Sequence, residues 1–253
     1  MLSQRELEVA FRGFISFIFG LFLLIVIAVA TIAFFCGAAY GGGPGDSVYG
    51  LTVDEAVGES QGQSMSSCTY IGDRLFVTNW HCVSHCNGLI VVSDYGRGIS
   101  YSCDIAAKSQ LNDISILRSK SDVVGSFAKV SQTGVSIGEI VCGYGYGKEY
   151  ASKASLVKDG VWPELVPRPI RGTVTGMSMG QHDPNRKVPA FKSVKSGYNC
   201  YFFSPITPAA IRGDSGGGVF NSNGELIAPL FGSTGSLTYA TTNKALRELL
   251  EQL

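Results

Sequence analysis

Hydrolysis of an amide at neutral pH needs an activated nucleophile, a base to take its proton, a group that orients the base, and donors for the developing oxyanion. The chain offers a candidate for each. Ile211-Arg-Gly-Asp-Ser-Gly-Gly-Gly-Val-Phe220 sets Ser215 among glycines. Glycine lets the backbone turn tightly and bring amide N–H groups to a bound carbonyl, so the amides of Gly213 and Ser215 are the candidate oxyanion hole. Leu75-Phe-Val-Thr-Asn-Trp-His-Cys82 places His81 just after an apolar strand, and Asn112-Asp-Ile-Ser-Ile-Leu-Arg118 places Asp113 at the mouth of another. Each alone has an ordinary reading: a surface Gly/Ser loop, a structural histidine, a turn aspartate. Together, in the order His81, Asp113, Ser215, they are much more specific than any one, and stand as candidates for base, orienting group and nucleophile.

Two other chemistries are less well served. Gly213-Asp-Ser-Gly-Gly217 also satisfies the G-x-S-x-G elbow of α/β-hydrolases, but that fold needs its histidine after the serine. The three histidines, His81, His85 and His182, all precede Ser215. His81-Cys82-Val-Ser-His85-Cys86 holds four zinc-type ligands, yet one short run does not easily surround a metal tetrahedrally. No metal or other cofactor is expected.

The elements that must position these residues read as short strands. Runs rich in β-branched and aromatic residues recur at Cys68–Ile71, Arg74–Thr78, Leu89–Val92, Tyr101–Ala107 and Ile114–Leu117, then at Glu139–Tyr146, Arg171–Met177, Tyr201–Ile206, Gly218–Phe220, Leu226–Phe231 and Leu237–Thr241. Gly72-Asp73 and Asn223-Gly224 read as hairpin turns. Even spacing of short strands, with 32 glycines in 253 residues, predicts an all-β sandwich or barrel. One helix is expected, from about Asn243 to Gln252, capped by Thr242 or Asn243. Its apolar face (Ala245, Leu246, Leu249, Leu250, Leu253) would pack on the second half of the domain.

Ahead of the strands, Gly13 to Gly45 carries no charge. Its apolar stretch, residues 14–36, would span about 34 Å as a helix, enough to cross a hydrocarbon core of about 30 Å. Arg5 and Arg12 precede it and no Lys or Arg follows until Arg74, so residues 1–13 are expected in the cytoplasm and the rest outside it. A cleaved signal peptide ending near Gly37-Ala38-Ala39 is the alternative, but its apolar region would be shorter. Residues 37–64 read as a Gly/Ser-rich linker, and residues 65–253 as the folded domain, with its start somewhere between Val48 and Ser66. Export agrees with cysteine usage: Cys36 lies at the membrane edge, leaving Cys68, Cys82, Cys86, Cys103, Cys142 and Cys200, an even set in an oxidising compartment.

The formal net charge is zero, and no basic footprint for nucleic acid runs along the chain. The expected partners are a protein or peptide substrate and a lipid bilayer at residues 14–36. Lys148 to Lys195 holds nine Lys or Arg against four acids. It reads as solvated loops, or as a basic patch facing anionic lipid or an acidic substrate.

Thr78-Asn-Trp-His81, Asn112-Asp-Ile-Ser-Ile-Leu117 and Gly213-Asp-Ser-Gly-Gly217 resemble the three signature blocks of the chymotrypsin/trypsin-like serine protease superfamily, from roughly Cys68 to the C-terminus. Val77-Thr-Asn-Trp-His81, Ser93-Asp-Tyr-Gly-Arg97 and Val219-Phe-Asn-Ser-Asn-Gly-Glu-Leu-Ile-Ala228 are similar to its HtrA-like and glutamyl-endopeptidase-like branch; the PDZ domain usual in HtrA-type enzymes does not follow. The resemblance implies a double β-barrel with a C-terminal helix, and serine endopeptidase activity. It also implies a Cys68–Cys82 disulfide. Cys86–Cys103 would fit within the first barrel, and Cys142–Cys200 is what remains.

In trypsins an acidic residue six before the serine binds Lys or Arg; here that position is Ala209, followed by Ala210. With Leu230, Phe231 and Gly232 nearby, the resemblance implies a pocket for small or hydrophobic P1 residues. His182 would line a Glu-selective pocket instead, but Gly180-Gln-His-Asp-Pro184 reads as a loop. The chain also lacks the Ile-Val-Gly-Gly start released in trypsin zymogens, so activity without activation cleavage is expected. Two further readings share the fold: an inactive binding module and a viral polyprotein-processing protease.

Overall fold

The structure is a computed structural model, and it describes residues 43–57, 60–147, 166–179, 199–205, 209–233 and 236–253. Residues 1–13 and 14–36, the basic loops between Lys148 and Glu164, and His182 lie outside the described residues. Among the described residues no helix is long and apolar enough to cross a membrane.

Twelve strands are described. Six close into a first barrel: β1 (Val48–Val57), β2 (Ser60–Gly72), β3 (Leu75–Thr78), β4 (Cys86–Asp94), β5 (Ile99–Ser109) and β6 (Ile114–Ser119), in the order β1-β2-β3-β6-β5-β4. Six close a second: β7 (Ile140–Gly145), β8 (Arg168–Met179), β9 (Asn199–Pro205), β10 (Gly218–Phe220), β11 (Leu226–Ser233) and β12 (Thr238–Thr241), in the order β10-β11-β12-β9-β8-β7. All ladders within the barrels are antiparallel. The all-β, barrel-containing architecture with one C-terminal helix, α1 (Asn243–Leu250), is therefore the one expected.

The expected linker is partly corrected. β1 pairs with β2 over its whole length, from Val48↔Thr69 to Val57↔Ser60, so residues 48–57 and 60–64 belong to the barrel. Gly, Ser and Gln in this stretch read as a tether, but a ladder satisfies their backbone groups whatever the side chains are.

Strands β3 and β6, which lead to and from the site, are buried on both faces. On β6, Leu117 joins the interior of the first barrel with Tyr49, Leu51, Phe76 and Tyr101. Its alternate residues Ile114 and Ile116 point the other way, into a cluster with Val77, Tyr144, Phe220, Leu226, Leu246 and Leu249. That is the period-two alternation of a strand, here with an apolar partner on each side. The second cluster is the seam between the barrels.

Helix α1 closes this seam. It touches β11 of the second barrel and also β5 and β6 of the first, rather than the second half alone. Thr242 caps it, its hydroxyl accepting from the Ala245 amide at 3.3 Å. Ala245, Leu246 and Leu249 are buried, whereas Leu253 lies beyond the helix and is exposed.

The cysteines are corrected too. Among the described residues, Cys68, Cys82, Cys86, Cys103 and Cys142 form no disulfide. Cys68 and Cys82 share the core of the first barrel, but the Cys68 sulfur faces the Tyr49 carbonyl at 3.8 Å and the Cys82 sulfur faces His81. Register excludes the other two bridges. Cys103 pairs with Ile90, and Cys86 lies four residues before Ile90 on the same strand, which is about 13 Å at the usual rise. A disulfide bridges Cα atoms no more than about 7 Å apart. Cys142 pairs with Arg171 and Cys200 with Ser178, seven residues along β8, about 23 Å by the same rise.

Candidate active site

His81 sits in a single 3-10 turn, Trp80–Cys82, directly after β3. Asn79 precedes the turn with extended backbone and donates its side-chain amide to the Asp113 carbonyl at 2.9 Å, fully buried. Asp113 ends the turn into β6 with φ of 51°, a left-handed conformation that few residues other than Gly, Asn and Asp adopt. This aims its carboxylate back at His81. One oxygen accepts from the His81 backbone amide at 2.8 Å, and the other meets Nδ1 at 2.6 Å. With Nδ1 donating to the carboxylate, Nε2 is the lone-pair nitrogen of the neutral ring.

The Nδ1 edge is thus enclosed, while 45% of the side-chain surface stays open. Burial pulls the imidazole pKa down, but the neighbouring Cys82 sulfur and then the Asp113 carboxylate outweigh it and push the value up to about 11. The Cys82 sulfur lies 3.5 Å from Nε2. Its upward pull exists only while the sulfur is ionised; for a thiol, Asp113 supplies what remains.

Ser215 lies in the loop between Ile211 and β10. The loop is folded on itself: the Asp214 amide donates to the Ile211 carbonyl at 3.1 Å, and the Gly217 amide to the Asp214 carbonyl at 3.0 Å. β11 holds its far end, where Gly216 donates to the Leu230 carbonyl and Leu230 to that of Gly217, both at 2.7 Å. Gly216 has φ of 85°, and a Cβ there would run into the Ser67 carbonyl oxygen and the Thr78 hydroxyl. Gly213, at φ of 97°, lies against the Gly147 carbonyl, and a Cβ there would come within 2.8 Å of its oxygen.

Ser67 of β2 ties this loop to the first barrel, a role that sequence reasoning missed. Its amide donates to the Ser215 carbonyl at 2.8 Å. Its hydroxyl donates to the Gly213 carbonyl at 2.9 Å and accepts from the Tyr146 amide at 3.0 Å. Its own carbonyl accepts from the Thr78 hydroxyl at 2.9 Å. Thr78 is three residues before His81, so the serine loop and the histidine turn rest on one small platform. The amides of Gly213 and Ser215, the candidate oxyanion donors, donate to no group among the described residues. The Ser215 hydroxyl is likewise unbonded among the described residues, and Nε2 meets the Cys82 sulfur rather than this hydroxyl.

Asp214 is 1% exposed on its side chain and ion-paired with Arg168 of β8. Burial raises its pKa; the Ile211 amide at 2.8 Å and the Arg168 guanidinium oppose that rise.

The expected pocket residues divide. Ala210 is buried, and its amide donates to the Thr238 hydroxyl at 3.2 Å, another contact that sequence reasoning missed. The Ala209 carbonyl accepts from Arg168 at 3.3 Å. Phe231 packs on Tyr239 with ring centroids 5.8 Å apart, and Gly232 pairs with Tyr239. Leu230 is fully buried in the core of the second barrel with Ile170, Val219 and Ala240. It is a core residue and not a pocket wall, because inward-facing positions of a small barrel are filled by side chains.

Comparison with known proteins agrees with this architecture. The crystal structure of the Rv3671c protease in its inactive form superimposes with a TM-score of 0.58 at 14% identity, covering 83% of this chain and 89% of that one. The active form of the Rv3671c protease from M. tuberculosis gives 0.61 at 16% identity, covering 82% of this chain and 81% of that one. At such identities the likeness is one of fold. No curated protein matches in sequence. The family model of the trypsin-like peptidase domain matches residues 66–228, from the strand that carries Ser67 to the one that carries Leu226 and through all three blocks around His81, Asp113 and Ser215. The chain belongs to the trypsin-like peptidase domain family, with the fold of a trypsin-like serine protease.

Proposed function

We propose that this chain is a membrane-anchored serine endopeptidase that cleaves peptide bonds through His81, Asp113 and Ser215. The observation that carries this reading is the double hold of Asp113 on His81, through the backbone amide and Nδ1. That hold fixes the tautomer in which Nε2 is the proton acceptor. Ser215 Oγ attacks the substrate carbonyl as its proton passes to Nε2. The tetrahedral oxyanion is received by the Gly213 and Ser215 amides, and the imidazolium returns the proton to the leaving amine. Water repeats the sequence on the acyl-enzyme. Contact between Ser215 and Nε2 tightens when substrate fills the cleft, as apo sites commonly require.

With Ala209, followed by Ala210, where trypsins place an acidic residue, and Phe231 and Gly232 nearby, the pocket suits small or hydrophobic P1 side chains. Residues 14–36 anchor the chain by their length and apolar character, and the Arg5 and Arg12 bias places the protease domain outside the cytoplasm. Digestion of a peptide library by the full-length chain, with Ser215→Ala as control, tests the activity and its preference. The reading expects cleavage after Ala, Val or Leu; cleavage after Lys, Arg or Glu contradicts the pocket, and no cleavage contradicts the function. Retention in the membrane pellet after alkaline carbonate extraction tests the anchor.

A further inference from the structure

The His81 ring has a partner at each nitrogen. Nδ1 meets the Asp113 carboxylate at 2.6 Å, and Nε2 meets the Cys82 sulfur at 3.5 Å. Asp113, His81 and Cys82 therefore form a second line of carboxylate, imidazole and nucleophile, sharing its base with the line that ends at Ser215. One turn builds it. In the 3-10 turn Trp80–Cys82, the Cys82 amide donates to the Asn79 carbonyl at 3.3 Å and the Val83 amide to the Trp80 carbonyl at 3.0 Å. The turn that delivers the base delivers the sulfur with it.

An imidazole held at its far nitrogen by a carboxylate draws the proton from a thiol, and a thiolate beside an imidazolium is the reactive form of cysteine. Other cysteines of the first barrel have a different partner. The Cys68 sulfur faces the Tyr49 carbonyl at 3.8 Å, and the Cys103 sulfur faces the Tyr101 carbonyl at 3.7 Å. Cys86 is more open than Cys82, but its sulfur faces the Gly88 and Leu89 carbonyls at 3.5 and 4.0 Å. A carbonyl accepts from the thiol and so favours the neutral form. Cys82 itself is 6% exposed, too little for a peptide to reach it. The ring beside it keeps 45% of its side-chain surface open, which is an approach for a small molecule.

We infer that Cys82 is a modification site for small hydroperoxides, and that its oxidation withholds Nε2 from Ser215. The Cys82 thiol gives its proton to Nε2, and the thiolate attacks the terminal oxygen of the peroxide. An S–O bond forms as the O–O bond breaks; the sulfur is oxidised by two electrons and the peroxide is reduced. The departing oxyanion takes the proton back from Nε2, leaving a sulfenic acid and an alcohol, or water when the oxidant is hydrogen peroxide. The sulfenic hydroxyl donates to the Nε2 lone pair that Ser215 needs. A thiol reductant returns the cysteine, with loss of water. The site rests on the hold of Asp113 on His81, and its consequence for Ser215 rests on the endopeptidase reading.

The test treats the full-length chain with hydrogen peroxide and dimedone, which traps sulfenic acids, and maps the adducts by mass spectrometry. Trapping is expected at Cys82 ahead of the more open Cys86, and His81→Ala should abolish that lead. Without dimedone, oxidation should slow acylation of His81 by diethyl pyrocarbonate, which needs a free ring nitrogen, and dithiothreitol should restore it. Fluorophosphonate labelling of Ser215 should fall about 10²-fold on oxidation, the lower end of what a general base supplies, and return with dithiothreitol. Cys82→Ala and Cys82→Ser, each compared with its own untreated rate, should keep their labelling in peroxide. A folded, untreated chain that takes no fluorophosphonate defeats the endopeptidase reading, while the dimedone and diethyl pyrocarbonate results still decide the thiol site. Trapping at Cys86 ahead of Cys82, or a Cys82 lead that survives His81→Ala, overturns the inference. So does oxidation at Cys82 that leaves His81 acylation unchanged.

Discussion

The Ser67 amide donates to the Ser215 carbonyl at 2.8 Å, while the Ser67 hydroxyl holds the Gly213 carbonyl at 2.9 Å. One residue of the first barrel therefore grips both candidate oxyanion residues of the second. Ser67→Ala keeps the amide bond and removes the hydroxyl that the half-buried Gly213 carbonyl and Tyr146 amide share. The expected cost is about 1–3 kcal/mol, with labelling at Ser215 slowed beyond what the lowered stability explains. Urea unfolding and probe kinetics on the same samples check this.

Gly216 packs where no side chain fits. Its positive φ and the Ser67 and Thr78 oxygens around it mean that Gly216→Ala must move the loop or the barrel. We expect a loss of about 3 kcal/mol, typical of an overpacked and strained site. Gly224→Ala, at φ of 74° but with only the Pro44 ring near its side chain, should cost less. Thermal unfolding of the two variants separates backbone strain from steric conflict.

The Cys82 sulfur beside Nε2 makes the base titratable by mutation. Catalysis needs neutral His81, so whatever stabilises the protonated ring holds back the acid side of the pH profile. Cys82 is among the groups that raise the ring's pKa. Where the sulfur is ionised, Cys82→Ala should therefore move the rising limb of kcat/KM toward acid. A limb that moves toward alkali contradicts the contact.

Linkage gives the matching stability prediction. The His81 pKa is raised above its ordinary value of 6.5 to about 11 by the Cys82 sulfur and then by Asp113, so the stability it draws from these partners, Asp113 among them, is fully present below about pH 6.5. That stability is lost as pH rises through the folded value. Asp113→Asn should thus destabilise most in the acid part of this window and least at its alkaline end. Denaturant midpoints of both proteins across pH check the sign.

Much of the candidate site is legible because its signals are local. His81 follows an apolar strand, Asp113 opens another, and glycines flank Ser215; each is a pattern within eight or ten residues. Residues whose roles are set by distant partners were not. Ser67 reads as one more polar residue in Gln-Ser-Met-Ser-Ser, yet it is fully buried and bonded to residues 146 positions away. Arg168 reads as part of a basic stretch, and only its approach to Asp214 gives it a task. The disulfides failed for a related reason. Counting cysteines gives a number of bridges, but register decides whether two sulfurs can meet, and Cys142 and Cys200 lie opposite different ends of β8. The first strand was missed because glycine and serine look alike in a tether and in a ladder.

The most direct measurement is labelling of the full-length chain with a fluorophosphonate probe, with the modified peptide identified by mass spectrometry. The account predicts one adduct, on Ser215, that disappears in Ser215→Ala and falls to background in His81→Ala. A folded wild-type chain that takes no label, or takes it on another serine, would contradict it.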